Sequence, residues 1–342
     1  MKKIFNLAAL AVSFFAMAAC QSELGETPEL GVEEVTATFT VYAPQHIDTK
    51  AVTAADQKAV GDGLAADNLV FAVYDEAGNE LKALRQGDWK NGIGSAAELT
   101  FSNDAQPKVQ VEVTLVRGKK YSFVCWAQNK AAECYNFANM KAVGVDYTTY
   151  NVGNNDLRDA FYAYAQTDGK VDEDFTMNIT LKRPFAQVNM GTKDFEAATN
   201  AGLNVNNLYT TVTVKGVANS LNTFTGEVTG SVDATFAYAH TVAPDYELVI
   251  DMNKVVNKPA AQVQDKYGWL AMNYVLVAEA SSLVEVGFTL REGDDVVLTS
   301  YDVPNVPVQR NHRTNIVGDL LTAEGEINIL IDPVFPGEYI VE

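Results

Sequence analysis

The chemistry of this chain is concentrated in its three cysteines. Cys20 follows an apolar stretch that opens with Lys2 and Lys3 and closes on Met17-Ala18-Ala19. A positive start, a short apolar centre and small residues at the end are the layout of a secretory signal, residues 1–19 here; a spanning helix needs about 20 apolar residues. A thiol directly after the small residues resembles the acceptor of a bacterial lipobox, where the signal is removed and the sulfur is acylated. That would anchor the chain to a membrane without a transmembrane helix. Met17 stands where the usual pattern has Leu, and an ordinary signal peptide with a coincidental cysteine is the plainer alternative. Cys125 and Cys134 lie nine residues apart, the first in an apolar stretch and the second in Ala131-Ala132-Glu133-Cys134-Tyr135. Adjacent antiparallel segments would let them bond outside the cytoplasm; two buried free thiols are the other reading. No histidine is near either in sequence, so neither has a base to make it a nucleophile.

The remaining polar groups nominate no reaction. Asp168-Gly169-Lys170-Val171-Asp172-Glu173-Asp174 is acidic but lacks the alternating ligands and central glycine of a calcium loop, and reads as a solvated turn. Asn91-Gly92-Ile93-Gly94 does not sit between a strand and a helix, so it implies no phosphate cradle. His46, His240 and His312 are scattered, and His312 falls in the basic patch Arg310-Asn311-His312-Arg313, where solvent is its expected neighbour. No cofactor, metal or enzymatic activity is indicated. A different kind of chemistry is offered by Lys50-Ala51, a basic site for a trypsin-like protease in a polar stretch behind Pro44.

The elements that would hold these residues are strands. The chain has 342 residues, 47% of them apolar and 10% aromatic, which describes a β-rich globular protein of about two domains. Period-two alternation marks strands at Val35–Tyr42, Val109–Val116, Tyr121–Ala127, Phe175–Leu181, Tyr209–Val214, Thr223–Val228, Glu247–Asp251, Trp269–Val277, Val284–Leu290 and Val296–Tyr301. Leu69–Tyr74 is a nearly continuous apolar strand, and Arg117-Gly118-Lys119-Lys120 reads as a hairpin loop. Short helices are expected at Asp156–Tyr164 and Phe195–Ala201. The fold class is therefore all-β, two sandwiches with short helical insertions, over 35–184 and 185–342 with the break near Arg183-Pro184. Residues 20–34 form an acidic tether between Cys20 and the first strand.

Charge excludes one class of partner. With 44 acidic and 25 basic residues the net charge is −19, which repels phosphate backbones and argues against nucleic acid. Loss of residues 1–19 removes Lys2 and Lys3 and deepens the imbalance to −21.

Several blocks resemble the fimbrillin superfamily, the subunits of type V pili of anaerobic Gram-negative bacteria. They are the Cys20 lipobox, Val70–Glu80, Leu181-Lys182-Arg183-Pro184-Phe185-Ala186-Gln187-Val188-Asn189, Trp269–Leu276 and Val308–Gly318. The last is the most specific, because Asn311-His312-Arg313-Thr314-Asn315 matches an Asn-x-Arg-Thr-Asn run that such proteins carry before a late strand. The resemblance implies two transthyretin-like sandwiches, export to the cell surface as an outer-membrane lipoprotein, and cleavage after a basic residue beyond the first strand, here Lys50. Better-known members often have Arg at that place. It also implies polymerisation with self or related pilin subunits, the first strand giving way to a neighbour's tail at 327–342, with Ile327, Ile329, Ile331, Val334, Phe335, Tyr339 and Val341 as the inserting side chains. The alternative is a monomeric surface lipoprotein that binds a glycan or a host protein through aromatics such as Trp89 or those of 147–150.

Overall fold

The computed structural model describes residues 33–43, 66–104, 106–148, 153, 155–204, 207–237, 247–250, 255, 266–293, 296–322 and 327–332. The first half contributes β1 (Glu34–Tyr42), β2 (Asn68–Asp75), β3 (Lys108–Val116), β4 (Tyr121–Gln128), β5 (Tyr135–Asn136), β6 (Val143–Val145), β7 (Ala160–Gln166) and β8 (Phe175–Thr180). The second contributes β9 (Phe185–Thr192), the short helix α1 (Phe195–Asn200), β10 (Leu208–Val217), β11 (Ser220–Leu221), β12 (Val228–Thr229), β13 (Val232–Ala237), β14 (Glu247–Val249), β15 (Lys266–Leu276), β16 (Ser282–Glu292), β17 (Val296–Val308), β18 (Arg313–Gly318) and β19 (Asn328–Asp332). The chain is all-β, as its alternation predicts.

Two sheets of three, ordered β3-β1-β8 and β2-β4-β7, face each other across a first core. Its side chains come from alternate positions: Val35, Ala37, Phe39 and Val41 of β1, Val109, Val111 and Val113 of β3, and Leu69, Phe71 and Val73 of β2. The intervening residues of β2, Val70, Ala72 and Tyr74, point the other way into a second core. A strand buried on both faces has no solvated positions to fill with polar residues, which is why Leu69–Tyr74 reads as unbroken apolar sequence.

The second core is built mainly between β13-β10-β16-β17 and β14-β15-β9-β18-β19. Pro184 lies between β8 and β9, where it breaks no ladder. The halves are not separate bodies. A fifth sheet, β12-β11-β6-β5, takes two strands from each half, and the described residues from Glu34 onward belong to one compact unit.

Three expectations are corrected. Residues 117–120 do not close a hairpin, because β3 pairs with β1 while β4 pairs with β2 and β7. They cross between sheets, and the Tyr121 hydroxyl holds the crossing by accepting from the Val116 N–H and donating to the Val116 carbonyl, each at 3.0 Å. Asp156–Tyr164 is not a helix: a single 3-10 turn at Asp156–Arg158 leads directly into β7. Most of 223–228 is a turn capped by the Asn222 side chain, with Gly226 at φ +75°, and only β12 follows it. β9 alternates apolar Ala186, Val188 and Met190 with Gln187 and Asn189, the pattern of a strand with one wet face, yet both faces are buried.

Candidate functional site

The first strand is the part of the molecule on which assembly would turn. β1 follows the pattern apolar in, threonine out: Val35, Ala37, Phe39 and Val41 are buried, while Thr36, Thr38, Thr40 and Tyr42 are half-exposed. It lies in the middle of its sheet, antiparallel to β3 from Glu34↔Val116 to Tyr42↔Lys108, and parallel to β8 from Ala37↔Phe175 to Tyr42↔Thr180. Phe39 is the anchor, with ring centroids 4.4 Å from Phe123, 4.8 Å from Phe71 and 6.0 Å from Phe175. At its start the Thr36 N–H donates to Asp174 at 2.7 Å, and at its end the Leu181 N–H donates to the Tyr42 carbonyl at 3.1 Å. Asp174, read from sequence as part of a solvated turn, thus also tethers β1.

Apart from these end contacts and the ladders, β1 is held by apolar side chains. Burying its three large ones is worth about 5–9 kcal/mol of transfer free energy. Any strand of similar length and alternation could offer the same. Taking β1 out would leave β3 and β8 with facing unpaired edges, a slot open along both of its walls.

Residues 44–65 join β1 to β2 and contain Lys50-Ala51. These two lie outside the described residues, as do Cys20, Val334, Phe335, Tyr339 and Val341. The tail divides at residue 332. Ile329 and Ile331 belong to β19, which pairs antiparallel with β18 from Arg313↔Asp332 to Val317↔Asn328 within the chain's own sheet, and Ile327 immediately precedes it. Ile327 and Ile329 pack against the second core.

Cys125 and Cys134 are free thiols, and the disulfide alternative is not the arrangement of this structure. They are buried in different cores, Cys125 in the first and Cys134 in the second. Burial pushes both thiols above their ordinary range, opposed at Cys134 by nearby Arg158, so both stay protonated and unreactive. The stacking-platform alternative fares no better at Tyr147, which is buried and accepts the Leu276 N–H at 2.8 Å. Trp89 is half-buried, 5.3 Å from the Phe137 ring. His312 is half-buried too, its Nδ1 2.6 Å from the Arg310 carbonyl, and Arg310 is buried, so the basic patch is not a solvated one.

The motif around Asn311 proves to be a joint. Arg183 grips Asp159 through Nε at 2.7 Å and Nη2 at 3.0 Å, and donates through Nη1 to the Asn311 side chain at 2.6 Å. Asn311 adopts φ +57°, a conformation asparagine tolerates better than most residues. Arg310 reaches Val277, Tyr162 and Gly226. Asn315 accepts from Asn189 at 2.8 Å and donates to the Leu330 carbonyl at 3.3 Å, fastening β19. Sequence reasoning missed the ion pair because Asp159 and Arg183 are 24 residues apart. The buried charge of the Arg-Pro dipeptide was the available signal.

These features define an all-β, two-core protein whose first strand lies at the centre of a three-stranded sheet and buries only apolar side chains. The chain belongs to the family of unknown function DUF6562, whose model matches residues 28–342. No curated protein matches by sequence. Similar solved structures include the tip fimbrial protein Mfa3 of Porphyromonas gingivalis with C-terminal truncation (11% identity, TM-score 0.45, 88% of this chain and 99% of that one). They also include the fimbrial anchor protein Mfa2 of the same organism (13%, 0.42, 89% and 100%) and a fimbrial assembly protein of Parabacteroides distasonis (15%, 0.42, 87% and 100%).

Proposed function

We propose that this protein is a structural subunit of a cell-surface fimbria, exported as a lipoprotein through Cys20 and polymerised by strand exchange. Cleavage after Lys50 by a trypsin-like protease frees β1 with its tether, and the tail of a neighbouring subunit, of the same or a related kind, fills the slot between β3 and β8. The observation that carries this reading is the central place of β1 in a three-stranded sheet, joined to the rest of the fold by the one segment that holds Lys50-Ala51. The pairing of β19 in its own sheet favours the ten residues 333–342 as the donor, against nine in β1. Pro333 and Pro336 cannot donate to a ladder, so the insertion centres on Tyr339 and Val341 with Val334 and Phe335 as a separate anchor.

Deletion of 333–342 in the full chain tests the donor. Surface extracts run on a denaturant-free gel should lose their ladder and leave a monomer. A ladder of undiminished length would remove the tail from the account.

A further inference from the structure

A cleft of about 580 Å³ opens between the two halves, away from β1. Its floor is the β5–β6 pair, where Tyr135 lies opposite Val145 and Asn136 opposite Gly144. Its far wall comes from the second half, with Asn219, Val232 and Asp233. The walls are tied together: Val145 N–H donates to the Asn219 carbonyl at 2.8 Å, Asp146 N–H to the Cys134 carbonyl at 2.8 Å, and Lys90 Nζ to the Tyr135 carbonyl at 2.9 Å. The volume falls in the range of small-ligand sites, about 300–1,000 Å³.

The lining selects a ligand chemistry. Carboxylates of Glu133, Asp146 and Asp233 can accept hydroxyl protons, and the side-chain amides of Asn136 and Asn219 can both donate and accept. Val145 and Val232 supply small apolar patches between them. Behind the wall sits Arg158, 2% exposed, its guanidinium against the rings of Tyr147 and Phe236. Its Nη1 donates weakly to the Asp146 carbonyl at 3.4 Å, while Nε and Nη2 have no hydrogen-bond partner. Donors and acceptors in close alternation, with apolar patches for C–H faces, complement a polyhydroxylated molecule. Three carboxylates against the single Lys90 in the lining disfavour an acidic one.

The geometry points to this cleft as a binding site for a neutral oligosaccharide of a few units, on the flank of the subunit and independent of strand exchange. Gly144 allows a direct test. It sits on the floor in ordinary strand conformation, and a Cβ there would meet only Asn136, at 3.7 Å. Gly144→Leu should therefore fold normally and fill the cleft.

The experiment is ligand-observed NMR on the purified full chain with lactose, N-acetyllactosamine and chitobiose, and sialyllactose as the acidic comparison. At least one neutral sugar should bind, with sialyllactose about tenfold weaker or more, and Gly144→Leu should weaken the neutral sugar by at least about tenfold at an unchanged Tm. Asn219→Ala should weaken it as well, which guards against a folding defect in the first variant. Absence of binding by all three neutral sugars overturns the proposal. So does sialyllactose binding as tightly as they do, or binding that survives Gly144→Leu in a variant with native Tm.

Discussion

The two sandwiches are built on one plan with different locks. In each, a central strand pairs antiparallel with one neighbour and parallel with the other: β1 with β3 and β8, β9 with β15 and β18. β1 is buried on one face only, and all of its buried side chains are apolar. β9 is buried on both faces, and Gln187 and Asn189 bond to Tyr274 at 3.1 Å and to Asn315 at 2.8 Å. Apolar contacts are non-directional, so a second alternating strand can supply them. A buried amide network needs those partners in that register, and a strand without them would leave donors and acceptors unpaired. The difference is what would let β1 be exchanged, as the proposed function requires, while β9 stays in place.

The comparison can be broken most severely at its anchors. Phe39→Ala should cost about 3–5 kcal/mol, because the ring fills a pocket between three other phenylalanines. Urea unfolding followed by tryptophan fluorescence would measure it; a loss under about 1 kcal/mol would mean that β1 is not held by its core face. Asn315→Ala should cost less, about 1–3 kcal/mol, by leaving the Asn189 side chain bonded to Gln187 alone and freeing the Leu330 carbonyl. Hydrogen exchange should then quicken in β19 and β9 while β1 is unaffected. Equal quickening in all three would show that the two locks are one.

Alkaline pH separates the cores further. Tyr135, Tyr147 and Tyr274 line the second core, and burial above all holds each phenol well above its ordinary range; in the first core, among the described residues, only Tyr121 is raised by burial. The folded state keeps protons that the unfolded chain releases near pH 10, so stability is complete below that point and falls above it. Each fully buried phenol should contribute a slope of up to about 1.4 kcal/mol per pH unit. Denaturation at pH 9 and 11 should show the second sandwich weakening first. The smallest effect belongs to the outward face of β1, where Thr38→Val should change stability by no more than about 0.5 kcal/mol.

Much of this architecture was legible in sequence, and the exceptions share a cause. β1 and β3 alternate cleanly because each has one wet face. β7 has a helix-like sequence because Phe161, Tyr162 and Ala163 all face a core and the 3-10 turn before them supplies helix-like polarity. The alternation of 186–190 suggests one wet face for β9, whereas Gln187 and Asn189 are buried in a side-chain network that sequence does not reveal. The loop at 117–120 has a hairpin's length, and only the pairing of whole sheets shows that it crosses instead. Of the candidate site, β1 could be read to within a residue at each end, whereas the joint of Arg183, Asp159 and Asn311 depends on contacts too distant in sequence for periodicity to register.

The central claim, that β1 is given up and replaced, is tested most directly by the mass of the protein extracted from the cell surface. An N-terminus at Ala51, in material that migrates as a ladder, is the result expected here. An intact chain beginning at acylated Cys20, in material that is nonetheless polymeric, would contradict it.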